Sequence, residues 1–322
     1  MPKTNDPFAP KNIPPTPLTD AEQEIEHRKD RMNLKRSLDF VAEHSAEYTD
    51  RIDRFLTREP FAENQSKVDE IQFPGYNEQH AQITPDDIRN ILLRIPPHLL
   101  AKSTLTDVNF SKQNIVFVPT FTSTGDVDLS NVLNLTTQEF LASNHHPERA
   151  LAGNTFTGRY SAMKGLEHLK DTNDDAFFSV ILPSAIPESV TKNPENIRQY
   201  QIHVFLHELF HSIENVMKDD NEARAWILNS ATGRTFFDWR EEYIAACAEE
   251  QTPPSIYASA YVDDLFPAFD RTNPKFMAAI REWMAEDWVG AHIGILPNVE
   301  GISTISKGKR QKLFEELLAT PE

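Results

Sequence analysis

The stretch "HVFLHELFHS", from His203 to Ser212, places three histidines at intervals of four residues in a segment with the apolar spacing of a helix. On a helix that turns about 100° per residue, the large apolar side chains fall within one arc, as expected of a core-facing stripe. The stripe consists of Ile202, Phe205, Leu206, Leu209, Ile213 and Val216. His207 and His211 lie on the opposite side, one turn apart, where two imidazoles can reach one metal ion. The pattern therefore predicts that neither histidine is a core residue.

Glu208 directly follows His207 and completes the motif HExxH. In this motif the two histidines bind zinc, and the glutamate acts on a water molecule at the ion without binding the metal itself. We therefore predict one Zn²⁺ ion with His207 and His211 as ligands and Glu208 as general base. A pair of surface histidines without a ligand is the alternative. Among the polar neighbours, we expect His203 to be a supporting or surface residue. For Glu214, one turn past His211, we expect a solvated charge, with a hydrogen bond to a ligand histidine as the alternative.

A catalytic zinc ion needs a third protein ligand, with the fourth position left for water. A histidine six residues after His211 would be the metzincin choice, but Met217 occupies that position. A glutamate about 20 residues further on, as in thermolysin-like enzymes, is also excluded, because serine and alanine stand there. The acidic residues that stay open as third ligands are Glu222, Glu241, Glu242, Glu249, Glu250, Asp263 and Asp264.

The composition is that of a globular protein, with 39% hydrophobic and 25% charged residues in 322. A net charge of −17 disfavours nucleic acid and anionic membrane surfaces as partners. We find no apolar run of the roughly 18 residues that span a bilayer and no Sec-type signal peptide. The single cysteine, Cys247, excludes an internal disulfide and favours a reducing compartment. We expect a cytoplasmic protein, or one exported by a route that needs no signal peptide.

Three regions follow one another along the chain. Residues 1–18 are rich in proline and predict a disordered N-terminal arm, 19–83 a helical region that can bind a partner protein, and 84–322 the catalytic domain. The segment 61–82 has the composition of a loop. Apolar, β-prone runs predict strands over 114–121 and 176–183. Capping signals and periodicity predict helices from Thr84-Pro85, over 194–218, and at about 238–251, 274–288 and 308–318. The expected fold class is α+β, mostly helical with a small mixed sheet.

The stretch "SIYASAYVDDLFPAF", Ser255 to Phe269, resembles a known family when it is taken together with the HELFH motif. The two look like the gluzincin group that holds the anthrax lethal factor-like peptidases and the Mlc titration factor A peptidases. The resemblance implies a zincin-like fold for the catalytic domain. It also implies Asp264 as third zinc ligand and Tyr257 as hydroxyl donor to the transition state. Asp264 is one methylene shorter than the glutamate usual in these families.

The resemblance further implies a zinc-dependent peptidase that hydrolyses peptide bonds with a zinc-activated water, Glu208 being the general base. Endopeptidase activity on a protein or peptide is favoured over aminopeptidase activity. By analogy with the fold, the substrate adds as a strand to a sheet edge, for which we expect "FFSVIL" at 177–182. The alternatives are a non-catalytic zinc-binding or scaffold protein with a degenerate peptidase site, and a hydrolase of another bond.

Overall fold

The structure is a computed structural model that describes residues 42–73, 76, 82–103, 105–111, 115–121, 127–136, 154–157, 178–183, 193–214, 220–251, 253–254, 258, 274–293 and 308–319. The predicted disordered arm, Tyr257 and Asp264 lie outside these residues.

Helices dominate the described part of the chain. They are α1 (Ser45–Leu56), α2 (Gln65–Glu70, after a 3-10 turn over Ala62–Asn64), α3 (Pro85–Leu92), α4 (Pro97–Leu100), α5 (Pro194–Glu214), α6 (Asp220–Ala225), α7 (Phe236–Glu250), α8 (Pro274–Ile293) and α9 (Lys309–Leu318). The helices predicted near 84, 194, 238, 274 and 308 are thereby confirmed. Among the described helices, none is both long enough and apolar enough to cross a membrane.

Helix ends follow the capping signals in the sequence. Thr84 and Asp87 form a reciprocal capping box at the start of α3, where Pro85 needs no hydrogen-bond partner. At α5, Asn193 Oδ1 accepts a hydrogen bond from the Glu195 amide at 3.1 Å. The start of the histidine-bearing helix is therefore fixed locally, by residues that the sequence already identifies.

The prediction of a loop over 61–82 is wrong for its first part, which forms the 3-10 turn and α2. Long-range contacts explain the difference. The side chain of Asn64 donates to the carbonyls of Leu92 and Ile95 at 3.0 and 2.8 Å, and Val68 is buried in the core. A six-residue helix has little stability of its own, so these contacts fix it.

The described strands form three small sheets. β1 (Leu105–Ser111), β5 (Phe178–Pro183) and β4 (Asn154–Thr157) make one sheet in that order; β2 (Ile115–Phe121) pairs with β3 (Val127–Thr136), and β6 (Ile227–Asn229) with β7 (Arg234–Thr235). The strands predicted over 114–121 and 176–183 are confirmed as β2 and β5. The prediction that 177–182 is a sheet edge is wrong, because β5 pairs in parallel with β1 and antiparallel with β4. The mixed sheet and the surrounding helices are consistent with the α+β class.

α5 lies at the centre of the described helices. It packs against β4 and β5 on one side, against α8 on another, and α1 contacts both α5 and α8. His207 and His211 are each only 6% exposed, so the prediction that they stay outside the core is wrong. The described part of the apolar stripe, from Ile202 to Ile213, is buried as expected, but α8 covers the opposite side as well. Val216 lies outside the described residues.

α9 packs on both α8 and α7. The Trp239 indole of α7 donates to the Leu313 carbonyl of α9 at 2.7 Å, and Trp239 and Tyr243 both make edge contacts with Phe314. Cys247 is fully buried there, and burial raises the pKa of its thiol to about 12. This cysteine is therefore a residue of the core.

Candidate metal centre

Three side chains meet between α5 and α8. His207 Nε2 lies 3.1 Å from His211 Nε2 and 3.2 Å from Glu282 Oε2, and His211 Nε2 lies 3.7 Å from the same oxygen. Within the described residues, this trio is the group of histidines and acidic residues whose geometry suits a metal ion. Two members of the trio thus come from the HExxH motif and the third from a helix much later in the chain.

The spacing of these atoms can be compared with that of ligands around a tetrahedral ion. At metal–ligand bonds of about 2.0–2.1 Å, two ligand atoms of a tetrahedral zinc site lie about 3.3–3.4 Å apart. The three observed separations bracket this value. The separations of the two nitrogens and the oxygen are therefore close to those that a tetrahedral ion requires of three ligands.

Helix periodicity places each of these side chains. His207 and His211 are one turn apart on α5, as are Glu282 and Glu286 on α8, and residues at this interval share a helix face. Trp283 and Asp287 belong to the other face of α8. The Trp283 indole donates to the Ala258 carbonyl at 3.0 Å. Asp287 accepts a hydrogen bond from the Tyr243 hydroxyl at 2.6 Å. These contacts on its far face fix the rotation of α8 that turns Glu282 towards the histidines.

A carboxylate lies within hydrogen-bonding distance of Nδ1 in both His207 and His211. Glu286 lies 2.7 Å from His207 Nδ1, and Glu214 lies 3.3 Å from His211 Nδ1. A carboxylate at Nδ1 keeps the proton on that nitrogen and leaves Nε2 free to bind a metal, and such partners are usual for metal-binding histidines. Both imidazoles are therefore oriented for a cation between their Nε2 atoms.

These carboxylates have partners of their own. Glu286 also binds Nε2 of His203 at 3.1 Å, and Glu214 accepts a hydrogen bond from Nε of Arg281. His203 is thus a supporting residue, which is one of the two roles expected for it. Glu214, at 5% exposure, is not the solvated charge that we predicted, because Arg281 and His211 compensate its burial.

The electrostatics of the cluster favour positive charge at its centre. Burial alone would raise the pKa of Glu282, but the two imidazoles hold it well below the usual range. Burial alone would lower the pKa of His207, but Glu282 and Glu286 raise it well above the ordinary value. Glu214 and Glu282 likewise outweigh burial and raise the pKa of His211. Without a metal this positive charge is a proton, and a divalent cation can replace it.

Glu208 follows His207 on α5 and is 9% exposed. Its carboxylate makes no hydrogen bond or ion pair that the structure records with a described residue, although its charge acts on Tyr200 and Arg281. A carboxylate in this state, on the same helix as the two histidines, is available to a water molecule or a substrate.

The third-ligand candidates taken from the sequence behave differently from Glu282. Glu242 pairs with Arg234, Glu249 with Lys309 and Glu250 with Arg310. Glu222 is exposed and Glu241 half-buried, and neither belongs to the trio. Asp263 and Asp264 lie outside the described residues, so their prediction is untested. Sequence reasoning missed Glu282, although two glutamates one turn apart on the predicted helix over 274–288 were an available signal.

Comparison of the chain with models of known protein families, with curated proteins and with solved structures finds no match. The resemblance to the gluzincins therefore rests on the short motifs alone.

Proposed function

We propose that the protein is a zinc-dependent peptidase of the gluzincin type, with a zincin-like catalytic domain. The observation that carries this proposal is the convergence of His207 Nε2, His211 Nε2 and Glu282 Oε2 between α8 and α5, the helix that also carries Glu208. Two imidazoles and one carboxylate are the ligand set of several zinc hydrolases, and three protein ligands leave one position open.

Glu282 takes the place of Asp264 as our proposed third ligand. It comes from the helix that packs against the histidines, and its carboxylate already lies within hydrogen-bonding distance of His207. A zinc ion in this trio would lower the pKa of a water molecule and polarise the carbonyl of a peptide bond.

Glu208 is the proposed general base. It is free of hydrogen bonds to described residues, so it can take the proton of the attacking water and deliver it to the leaving amine. Glu286 and Glu214 accept hydrogen bonds from Nδ1 of the two imidazoles and would thereby keep both rings oriented to hold the ion. Tyr257 stays our candidate for a hydroxyl donor to the developing oxyanion, a role worth about 10²–10³ in rate.

We infer that a peptide substrate pairs with β4 rather than with β5. β4 lies at one end of its sheet, has no strand partner on its far side among the described strands, and packs against α5. An extended peptide that adds to such an edge gains backbone hydrogen bonds next to the helix that carries the catalytic residues.

Substitution of Glu208 by Gln tests the proposal. The variant should bind zinc as the wild type does, since Glu208 is not a ligand, and should lose at least about 10² of the rate on a denatured protein substrate. Glu195→Gln is the matched control, because Glu195 is a half-buried glutamate in the first turn of the same helix. Equal activity of both variants, or zinc binding without hydrolysis by the wild type, would favour a scaffold protein instead. Cleavage of N-terminally blocked peptides separates an endopeptidase from an aminopeptidase.

A further inference from the structure

Arg281 links the two helices of the candidate metal centre. It lies directly before Glu282 on α8, and its Nε donates to Oε1 of Glu214 in the last turn of α5. The same oxygen lies 3.3 Å from His211 Nδ1. A continuous series of hydrogen bonds therefore runs from Arg281 through Glu214 to a proposed metal ligand.

Glu214 depends on Arg281 because it is buried. Its side chain is 7% exposed, whereas that of Arg281 is 33% exposed. A buried carboxylate whose other partner is one imidazole N–H is poorly compensated for its lost hydration. The guanidinium supplies the opposite charge and a directional donor, so it keeps Glu214 oriented towards His211.

The two histidines are held differently. Glu286, which binds His207, has His203 as its further partner, and both histidines are on α5. Glu214 is tied instead to a residue of α8 that adjoins the third ligand. Loss of Arg281 would therefore affect both the orientation of His211 and the position of Glu282 relative to α5.

We propose that Arg281 is a positioning residue for the metal centre: acting through Glu214, it orients the imidazole of His211 and sets the distance between His211 and Glu282. This inference rests on the metal centre of the proposed function and does not depend on which bond the protein hydrolyses.

A double-substitution experiment on zinc affinity tests this inference. The dissociation constant for zinc is measured by competition with a chelator for the wild type, Arg281→Gln, Glu214→Gln and the double variant. Loss of a partner behind a ligand typically weakens metal binding about 10- to 100-fold, and we expect this loss for each single variant. Because Arg281 acts through Glu214, the double variant should bind zinc about as weakly as the weaker single variant.

Arg198→Gln is the matched control. Arg198 also belongs to α5 and forms a part-buried ion pair, at 2.7 Å with Asp87, but it lies near the start of the helix and away from the histidines. Its loss should leave the zinc dissociation constant unchanged. Thermal unfolding of the metal-free proteins checks that each variant folds. If Arg281→Gln does not fold, Arg281→Lys keeps the charge but loses the planar donor group, and should still weaken zinc binding.

The outcomes separate the two proposals. Wild-type affinity in Arg281→Gln, or losses that multiply in the double variant, would overturn the positioning role while leaving the peptidase proposal intact. A wild type that binds zinc but cleaves nothing would overturn only the peptidase. Failure of the wild type to bind zinc would remove the metal centre and both proposals with it.

Discussion

The carboxylate of Glu282 lies 3.2 Å from Nε2 of His207, although 75 positions separate the two residues in the chain. The HExxH motif is local, but the candidate metal centre is a product of packing between α5 and α8. This relationship makes the identity of the third ligand the first property to test.

Replacement of Glu282 by Ala should abolish tight zinc binding. The loss should exceed the roughly 10- to 100-fold effect typical of a residue behind a ligand, because one of three proposed metal bonds disappears. Metal analysis after dialysis measures the result, with Glu241→Ala and Glu242→Ala as controls that keep zinc. If Asp264→Ala empties the site while Glu282→Ala stays loaded, the third ligand is Asp264, as the family resemblance implies.

Substitution of Glu286 by Gln should weaken zinc binding by about 10- to 100-fold while the metal-free protein stays folded. Glu286 holds the Nδ1 atom of His207, and a neutral amide gives a weaker hydrogen bond to that N–H than a carboxylate does. Competition with a chelator measures the change. Glu249→Gln, an exposed substitution on α7, should leave zinc binding as it is; equal effects of both variants would contradict the role of Glu286.

Zinc should stabilise the protein more as pH rises. In the metal-free protein, the pKa values of His207 and His211 are raised above 6.5. Their protonated forms therefore stabilise the folded protein below pH 6.5, and this stability is lost as the pH rises through the raised pKa values. The zinc-loaded protein does not lose this stability, because zinc binds the unprotonated rings. The difference in melting temperature between zinc-loaded and chelated protein should therefore be larger at about pH 8.5 than at about pH 6. A difference that shrinks with pH would contradict this electrostatic account.

Replacement of His292 by Phe should reduce the acid sensitivity of the protein. The His292 ring is buried, 4.2 Å from the ring of Trp288 and 5.3 Å from that of Phe55, and neither ring nitrogen has a hydrogen-bond partner in the described part of the chain. Burial, followed by the charge of Arg58, lowers its pKa to about 3. The neutral ring therefore stabilises the folded protein above pH 6.5, and this stability is lost as the pH falls below 6.5 towards the lowered pKa.

Thermal unfolding at about pH 7.5 and about pH 5 measures this effect, since an unperturbed histidine titrates between the two. The melting temperature of His292→Phe should fall less than that of the wild type over this interval. An equal fall in both proteins would show that other groups determine the acid response.

Local signals in the sequence were enough to predict most helices and half of the candidate site. The caps at Thr84 and Asn193 predict where α3 and α5 begin, and the spacing of His207, Glu208 and His211 predicts their proximity. The role of Glu282 was not predictable in this way, because it depends on how α8 rotates against α5. The same reason explains the burial of the histidines and the central place of β5: each depends on a neighbour that the local pattern does not contain.

A zinc ligand on α8 would give the ion a structural role as well as a catalytic one. An ion held by His207 and Glu282 closes a loop of 75 residues, and closing such a loop costs an unfolded chain about 4 kcal/mol of entropy. Because such an ion would join the two helices, zinc binding would favour the packing of α8 on α5. A chelator should therefore loosen the junction between the two helices as well as stop the chemistry.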